Sequence, residues 1–214
     1  MAIGDPYATL DELKTYLFKG QESKADAYDD DLTDALMSAS QEIEKFCNRQ
    51  FNQSTDLTSR VFIPFSLKKT YVDDFWTTEG MALETDVGGT GDFTQEWDID
   101  ADVEIYPLND VMDGVPGWPY SELWACRGLY FPLYMPNPYR RKAVVRVTAQ
   151  WGWQSVPAPV HQACLIMAAS TWKLRDAPFG VAGFSGMGGA VKVRDNPMAM
   201  NKLHKYVINP VQVG

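Results

Sequence analysis

Apolar positions at the N-terminal end of the chain recur with the spacing of an α-helix. Thr9 and Glu12 have the capping-box spacing, in which each side chain bonds the backbone N–H of the other residue. The apolar positions of this predicted helix are Leu10, Leu13 and Leu17. Gly20 is the predicted end, because glycine readily takes the left-handed conformation that closes a helix.

A longer second helix is predicted from Asp29–Asp31, since carboxylates favour the unpaired N–H groups of a helix N-terminus. Its apolar residues fall on one face: Leu32, Ala35, Leu36, Ala39, Ile43, Phe46 and Cys47. Asp34, Gln41, Glu44 and Lys45 occupy the opposite face. This polar face is expected to meet solvent or the lumen of an assembly.

After residue 51 the period of the pattern changes from helical to two, as in β-strands. Short strands are predicted at residues 60–64 and 69–73, with a glycine-rich turn between Leu83 and Phe93. Residues 98–105 alternate acidic with apolar side chains, which predicts a half-exposed strand with an acidic face.

Residues 107–138 are rich in proline, glycine and aromatic residues. They predict long structured loops, because the aromatic side chains need burial. A further strand is predicted over residues 142–151, ending at Gly152.

Helical spacing returns in the last third of the chain. A helix is predicted after Pro157 and Pro159, and its apolar or small residues on nearly every side predict a central position. Residues 180–190 predict a flexible glycine-rich loop, and Asn196 with Pro197 predicts the start of a short fourth helix.

The predicted fold class is therefore α+β: a small bundle of about four helices, with a β-rich domain inserted between the second and third helices. Residues 1–51 and 156–214 are assigned to the bundle with its loop and C-terminal tail. Residues 52–155 are assigned to the inserted domain.

Composition excludes several classes of protein. Hydrophobic residues make up 45% and charged residues 22% of the 214 positions, as in ordinary globular proteins. No apolar run is long enough to span a bilayer, and the N-terminus lacks a signal-peptide pattern. Three widely separated cysteines indicate small buried residues in a reducing compartment rather than a disulfide framework.

The net charge of −9 conceals an asymmetry between the two halves of the chain. Residues 1–122 carry 8 basic and 26 acidic residues, a balance of −18, whereas residues 123–214 carry 11 and 2, a balance of +9. Three interpretations stay open: a basic half that binds nucleic acid, neighbouring copies that pair acidic with basic faces, or halves that interleave on folding.

Candidate chemistry is sparse, and neither an enzyme nor a cofactor or metal site is predicted. His161 and Cys164 share a helical face without a third zinc ligand, and they are predicted to serve core packing or, for the histidine, helix capping. Asp98, Asp100 and Asp102 resemble a calcium loop but lack its glycine and final glutamate. Residues 140–142, next to Tyr139, are candidates for a phosphate contact or a solvated strand start.

Two segments in this order resemble phage head-to-tail connector (adaptor) proteins. The first is ATLDELKTYL, an acidic linker, then DDDLTDALMSASQEIEKFCNRQF. The second is RVTAQWGWQSVPAPVHQACLIMAASTWKLRDAPFG, similar to the family's strand, Trp-Gly-Trp, Val-Pro and buried-helix pattern. Together these segments cover about 85 residues.

The resemblance implies a structural virion protein in the neck of a long-tailed phage, made in the host cytoplasm. It implies a ring, of twelve copies in the typical case, that docks on the portal, extends the DNA channel used in genome packaging and receives a downstream stopper or tail protein. The portal-contact candidates are Val191, Val193, Val211 and Val213. Arg140, Arg141 and Lys142 are subunit-interface candidates, and Asp34 and Glu44 are channel-lining candidates.

Two alternatives to this function remain. One is another tail-completion or minor capsid protein, and the other is a nucleic-acid-binding module that uses the basic second half. Genomic DNA is expected to pass through the channel without sequence-specific binding. An acidic channel wall would let the DNA slide without sticking, because like charges repel. No membrane partner is predicted.

Overall fold

The computed structural model describes residues 2–18, 26–137, 140–175 and 196–208. It contains two compact units. One comprises Ile3–Phe51 and Val156–Ile208, and the other comprises Asn52–Ser155. Four α-helices and an antiparallel sheet occupy the described residues, and the strands lie between the second and third helices. The predicted α+β fold class is confirmed.

The helical unit begins with α1 (Leu10–Phe18) and α2 (Asp29–Cys47). The capping box is confirmed, since the Thr9 N–H donates to Glu12 Oε2 at 2.7 Å and the Glu12 N–H donates to Thr9 Oγ1 at 3.3 Å. Asn48 ends α2 in the left-handed conformation with a φ of 51°. The predicted end of α1 at Gly20 lies outside the described residues.

Helix α3 (Ala158–Arg175) packs against α1, α2 and α4 (Pro197–Leu203), which confirms its central position. A stripe of small and medium side chains is fully buried along it: Val160, Ala163, Cys164, Met167 and Ala168. Asn196 caps α4 by accepting the Ala199 N–H at 3.2 Å, as its position before Pro197 predicts. A 3-10 turn, His204–Tyr206, follows. None of the described helices is both long and apolar enough to cross a membrane.

The described residues of the β unit form eight strands: β1 (Thr58–Phe62), β2 (Lys69–Thr85), β3 (Gln95–Trp97), β4 (Val103–Tyr106), β5 (Val111–Met112), β6 (Val115–Pro116), β7 (Tyr120–Ala125) and β8 (Val145–Trp151). The main sheet has the order β1-β8-β2-β7-β4, and β3 pairs with β2. Every pairing in it is antiparallel. Its core includes Phe75, Leu83, Leu123, Val147 and Trp151.

Strand β2 differs from the prediction because it runs for 17 residues rather than as a short strand. Its register shifts twice against β8, and Gly80 has a φ of +71° within it. These irregularities let one strand change direction and pair with β7 at one end and β8 at the other. Glycine at position 80 supplies a conformation that other residues adopt with strain.

Two further predictions in the β unit are wrong. Residues 98–102 form a turn, and the strand starts only at Val103, because the Asp98 and Asp102 carboxylates accept backbone N–H groups of the same segment. Residues 107–138 include the paired strand β7 as well as loops. Its alternating positions lie among prolines and glycines that conceal the pattern.

Gly152 ends β8, as predicted, at a point of close backbone approach. Its φ is +98°, and an added Cβ would lie 1.8 Å from the carbonyl oxygen of Asn52. The Gly152 N–H donates to the Asp74 carbonyl at 2.6 Å, and the Trp153 indole donates to the Asp74 carboxylate at 2.9 Å. Only glycine fits this position without displacing backbone.

Candidate interaction surfaces

His161 and Cys164 do not form a common site. His161 Nε2 lies 3.1 Å from Glu12 Oε2. The hydrogen bond from the Thr9 N–H, and to a lesser extent that from His161, lowers the pKa of Glu12 to about 2. Cys164 is buried with its sulfur 3.4 Å from Ser40 Oγ, and burial raises the pKa of its thiol to about 11. A protonated, buried thiol is a poor nucleophile.

The acidic run Asp98–Asp102 is shaped by its own backbone. Asp102 accepts the Asp98 N–H at 3.1 Å, and Asp98 accepts the Asp100 N–H at 3.0 Å. Across residues 2–18, 26–137, 140–175 and 196–208, no group of three or more histidine, cysteine or acidic side chains is arranged to hold a metal ion.

The two channel-lining candidates have different environments. Asp34 is exposed on α2. Glu44 is half-buried, and its Oε1 accepts the Tyr7 hydroxyl at 2.7 Å. Tyr7 is fully buried and also accepts the Phe51 N–H at 3.1 Å, and burial holds the pKa of its hydroxyl well above the usual value. Glu44 therefore has a structural partner within the helical unit.

Two of the three subunit-interface candidates are engaged within the β unit. Arg141 donates to the carbonyls of Pro64 and Phe65 at 3.2 and 2.7 Å. The Lys142 ammonium donates to the Gly89 carbonyl and lies 3.8 Å from the Asp86 carboxylate. Arg140 is exposed. The portal-contact candidates Val191, Val193, Val211 and Val213 lie outside the described residues, as do Tyr139 and the glycine-rich loop.

The loop at residues 63–68 lies beside residues 127–137 and 140–142, and together these residues form a surface that we call the basic flank. The Phe131 N–H donates to the Leu67 carbonyl at 2.8 Å, and the Lys68 ammonium donates to the Leu129 carbonyl at 2.8 Å. The same ammonium stacks 4.1 Å from the centre of the Tyr130 ring. Large apolar side chains are exposed along this flank: Phe65 and Leu67 (each 50% exposed), Tyr130 (56%), Leu133 (36%), Tyr134 (38%) and Met135 (54%).

The charge of the basic flank is of one sign. It carries Lys68, Arg127, Arg140, Arg141 and Lys142 and contains no acidic residue. On the strands, in contrast, basic side chains are paired with acids. The pairs are Arg60–Asp73 (2.7 Å), Lys69–Glu122 (2.8 Å) and Arg146–Glu84 (2.5 Å). Of the five flank residues, Lys142 alone has an ion-pair partner among the described residues.

A second exposed feature is the hairpin formed by β5 and β6, which we call the acidic hairpin (residues 107–118). These strands pair only with each other in the described structure. Asp113 and Gly114 both have positive φ, 51° and 75°, as a two-residue hairpin turn requires. Leu108, Val111 and Val115 are 48%, 42% and 37% exposed, beside exposed Asp110 and Asp113.

The base of the acidic hairpin is fixed to the β unit. The Trp118 N–H donates to the Asp110 carbonyl at 2.9 Å. The Trp118 ring is buried and meets Trp153 edge-on at a centroid distance of 5.0 Å. The hairpin is therefore held at its base while its apolar side chains stay in solvent.

The charge asymmetry of the chain is sharper than the division into halves predicts. Residues 70–126 contain 14 acidic and no basic residues, and residues 127–175 contain seven basic and no acidic residues. Some of these charges pair inside the fold, as Glu84 does with Arg146 and Asp86 with Lys142. The acidic hairpin and the basic flank each combine charges of one sign with several exposed apolar side chains.

Sequence reasoning did not identify the acidic hairpin or the exposed apolar side chains of the flank. The aromatic and proline content of residues 107–138 indicated that the aromatic side chains are buried. Trp118 and Phe131 are buried, whereas Tyr130 and Tyr134 are exposed. The Asp-Gly pair at 113–114, between Met112 and Val115, was the available signal for the hairpin.

Neither a protein-family profile nor a curated protein sequence matches the chain. Two solved structures share its fold. One is the neck of an empty gene transfer agent particle computed with C6 symmetry, with a TM-score of 0.53 and 16% identity over 94% of this chain and 88% of that chain. The other is the virion of a native gene transfer agent particle, with a TM-score of 0.53 and 16% identity over 94% and 89%. At this identity the likeness establishes a shared fold.

Proposed function

We propose that this chain is a structural protein of the neck of a phage-like particle, in which it forms the adaptor ring between the portal and the next connector or tail protein. One observation carries the proposal: the fold matches chains from gene transfer agent neck and virion structures over 94% of its length. The match extends over both the helical and the β unit, so a shared single motif does not account for it.

The site chemistry agrees with a structural role. The histidine and cysteine of α3 serve an ion pair and core packing, and the acidic turn satisfies its own backbone. Among the described residues of the β unit, nine of the 13 exposed large apolar side chains lie on the two charged surfaces. Apolar patches rimmed by charge are typical of protein–protein contacts.

A ring of twelve copies is the proposed assembly. The C6 symmetry of the similar neck is compatible with six or twelve copies. An acidic protein of net charge −9 suits a channel wall along which DNA slides without adhering. Exposed Asp34 on α2 is the channel-lining residue that this proposal favours.

The nucleic-acid-binding alternative has less support. Arg141 and Lys142 hold loops of their own chain, and Arg60, Lys69 and Arg146 pair with acids. The exposed bases that remain, such as Arg127 and Arg140, belong to a chain of net charge −9, whose overall field disfavours a phosphate backbone.

The test is to mix the purified chain with the portal protein encoded by the same genome and to measure native mass and particle shape. A ring stacked coaxially on the portal is the expected product. If the two proteins stay separate at every salt concentration, the adaptor role is wrong, and a tail-completion or minor capsid role is tested next by the same assay with tail proteins.

A further inference from the structure

We infer that the acidic hairpin of one copy docks on the basic flank of the next copy, and that this contact closes the ring. The inference rests on the proposed ring assembly and adds the two surfaces that meet. It begins from the hairpin itself. A two-stranded hairpin without a third strand is marginally stable in water. In the described structure this hairpin has no third strand, and it also leaves three large apolar side chains in solvent, so a partner surface would stabilise it.

The shape of the hairpin is prepared for a partner. The Asp113–Gly114 turn fixes its tip, and the Asp110–Trp118 hydrogen bond closes its base. Such an element loses little conformational freedom on binding, so more of the contact energy goes to affinity. The side chains that it presents are apolar and acidic.

The basic flank has the complementary surface. Phe65, Leu67 and Tyr130 are each at least half exposed, and exposed Arg127 and Arg140 lie in the same loops. Among the described residues, neither Asp110 nor Asp113 forms an ion pair with a base of the flank within one copy. Contact between copies therefore brings together charges that the single chain leaves apart.

A second copy is the occupant that these features favour. The hairpin lies in the stretch of the chain without bases and the flank in the stretch without acids, so each excludes a partner of its own sign. Because the two surfaces differ, each copy offers one to its neighbour on either side. Such a heterologous contact closes into a ring when the rotation between copies is a whole fraction of a turn.

Charge reversal on each surface tests the contact. The hairpin variant carries Asp110→Lys and Asp113→Lys, and the flank variant carries Arg127→Glu and Arg140→Glu. Each variant is expected to lower the yield of rings by about tenfold or more at low salt, with native mass as the measurement. The variant with all four changes inverts both surfaces and is expected to restore the yield to within about threefold of the unsubstituted protein.

The control is Asp56→Lys with Glu79→Lys, which changes the charge of two exposed acids of the β unit by the same amount. Its rings are expected at the unsubstituted yield. A separate variant, Val111→Ser with Val115→Ser, keeps the charge and removes apolar contact, and it should also weaken the ring. Circular dichroism of every variant verifies that the sheet is intact.

The outcomes separate this inference from the proposed function. If unsubstituted protein forms rings and the hairpin or flank variant does so equally well, or the combined variant is not restored, the hairpin–flank contact is wrong and the adaptor role stands. If the hairpin variant forms rings but loses the downstream neck protein, the occupant is that protein and the inference is wrong. If unsubstituted protein forms no ring with or without portal, both are wrong.

Discussion

Replacing Tyr7 with phenylalanine tests the account of how the helical unit is held together. The hydroxyl of this fully buried residue joins two segments, because it donates to Glu44 Oε1 and accepts the backbone N–H of Phe51. The phenylalanine ring would keep the edge-on contact with Phe51, which has a centroid distance of 5.6 Å. Only the two hydrogen bonds are lost.

The expected cost follows from the environment of each partner. The buried N–H of Phe51 would lose its acceptor, the Tyr7 hydroxyl, at a cost of about 1–3 kcal/mol. Glu44 is half-buried and regains water in part, so its lost bond contributes about 1 kcal/mol. Tyr7→Phe should therefore lower the free energy of unfolding of the helical unit by about 2–4 kcal/mol.

Urea unfolding followed by circular dichroism at the helical band measures this effect. With a slope of about 2 kcal/mol per molar urea, the midpoint should fall by about 1–2 M. Tyr16→Phe is the matched control, because Tyr16 on α1 is 49% exposed, and its midpoint should not move. A midpoint for Tyr7→Phe equal to that of the control would refute the structural role assigned to the hydroxyl.

Three other outcomes are expected. Because the folded-state pKa of Glu12 is lowered to about 2, its contribution to stability is complete above about pH 4.5 and is lost as the pH falls towards 2. The free energy of unfolding of Glu12→Gln should therefore not show this loss when it is measured against falling pH. An acid profile equal to that of the unsubstituted protein would contradict the assigned interaction. Gly152→Ala should destabilise the β unit by about 3 kcal/mol or more in thermal unfolding. The control Gly128→Ala, at a position with a φ of +79° and open space around it, should cost about 1 kcal/mol. Equal costs for the two variants would rule out the backbone clash at Gly152. A thiol reagent should modify half-buried Cys126 in the native protein before it reaches buried Cys164, and mass spectrometry of the labelled peptides measures the order. Simultaneous labelling of both cysteines would mean that the helical core opens readily.

The helices show how far local pattern determines structure. Each predicted start depends on contacts within one turn: Thr9 with Glu12 on α1, and Asn196 with the N–H three residues later on α4. The central position of α3 was also predictable, because apolar and small residues on nearly all sides of a helix require burial on all sides.

The β unit shows where local pattern is insufficient. The acidic alternation at residues 98–102 has the period of a strand, yet its carboxylates bond nearby N–H groups and form a turn. Pairing β7 with both β2 and β4 depends on partners distant in sequence. Propensity in strands depends on such partners more than propensity in helices does.

The sequence by itself determined the order of the helices, the α+β class, the caps of α1 and α4 and the charge asymmetry, because periodicity, capping and charge depend on residues near one another in the chain. Only the tertiary structure decided which basic side chains are used internally. Arg141 and Lys142 hold loops of their own unit, whereas Arg140, beside them in sequence, is exposed. It also decided that the apolar side chains of the hairpin and the flank lie at the surface, because burial depends on how distant segments pack, and no local pattern contains that information.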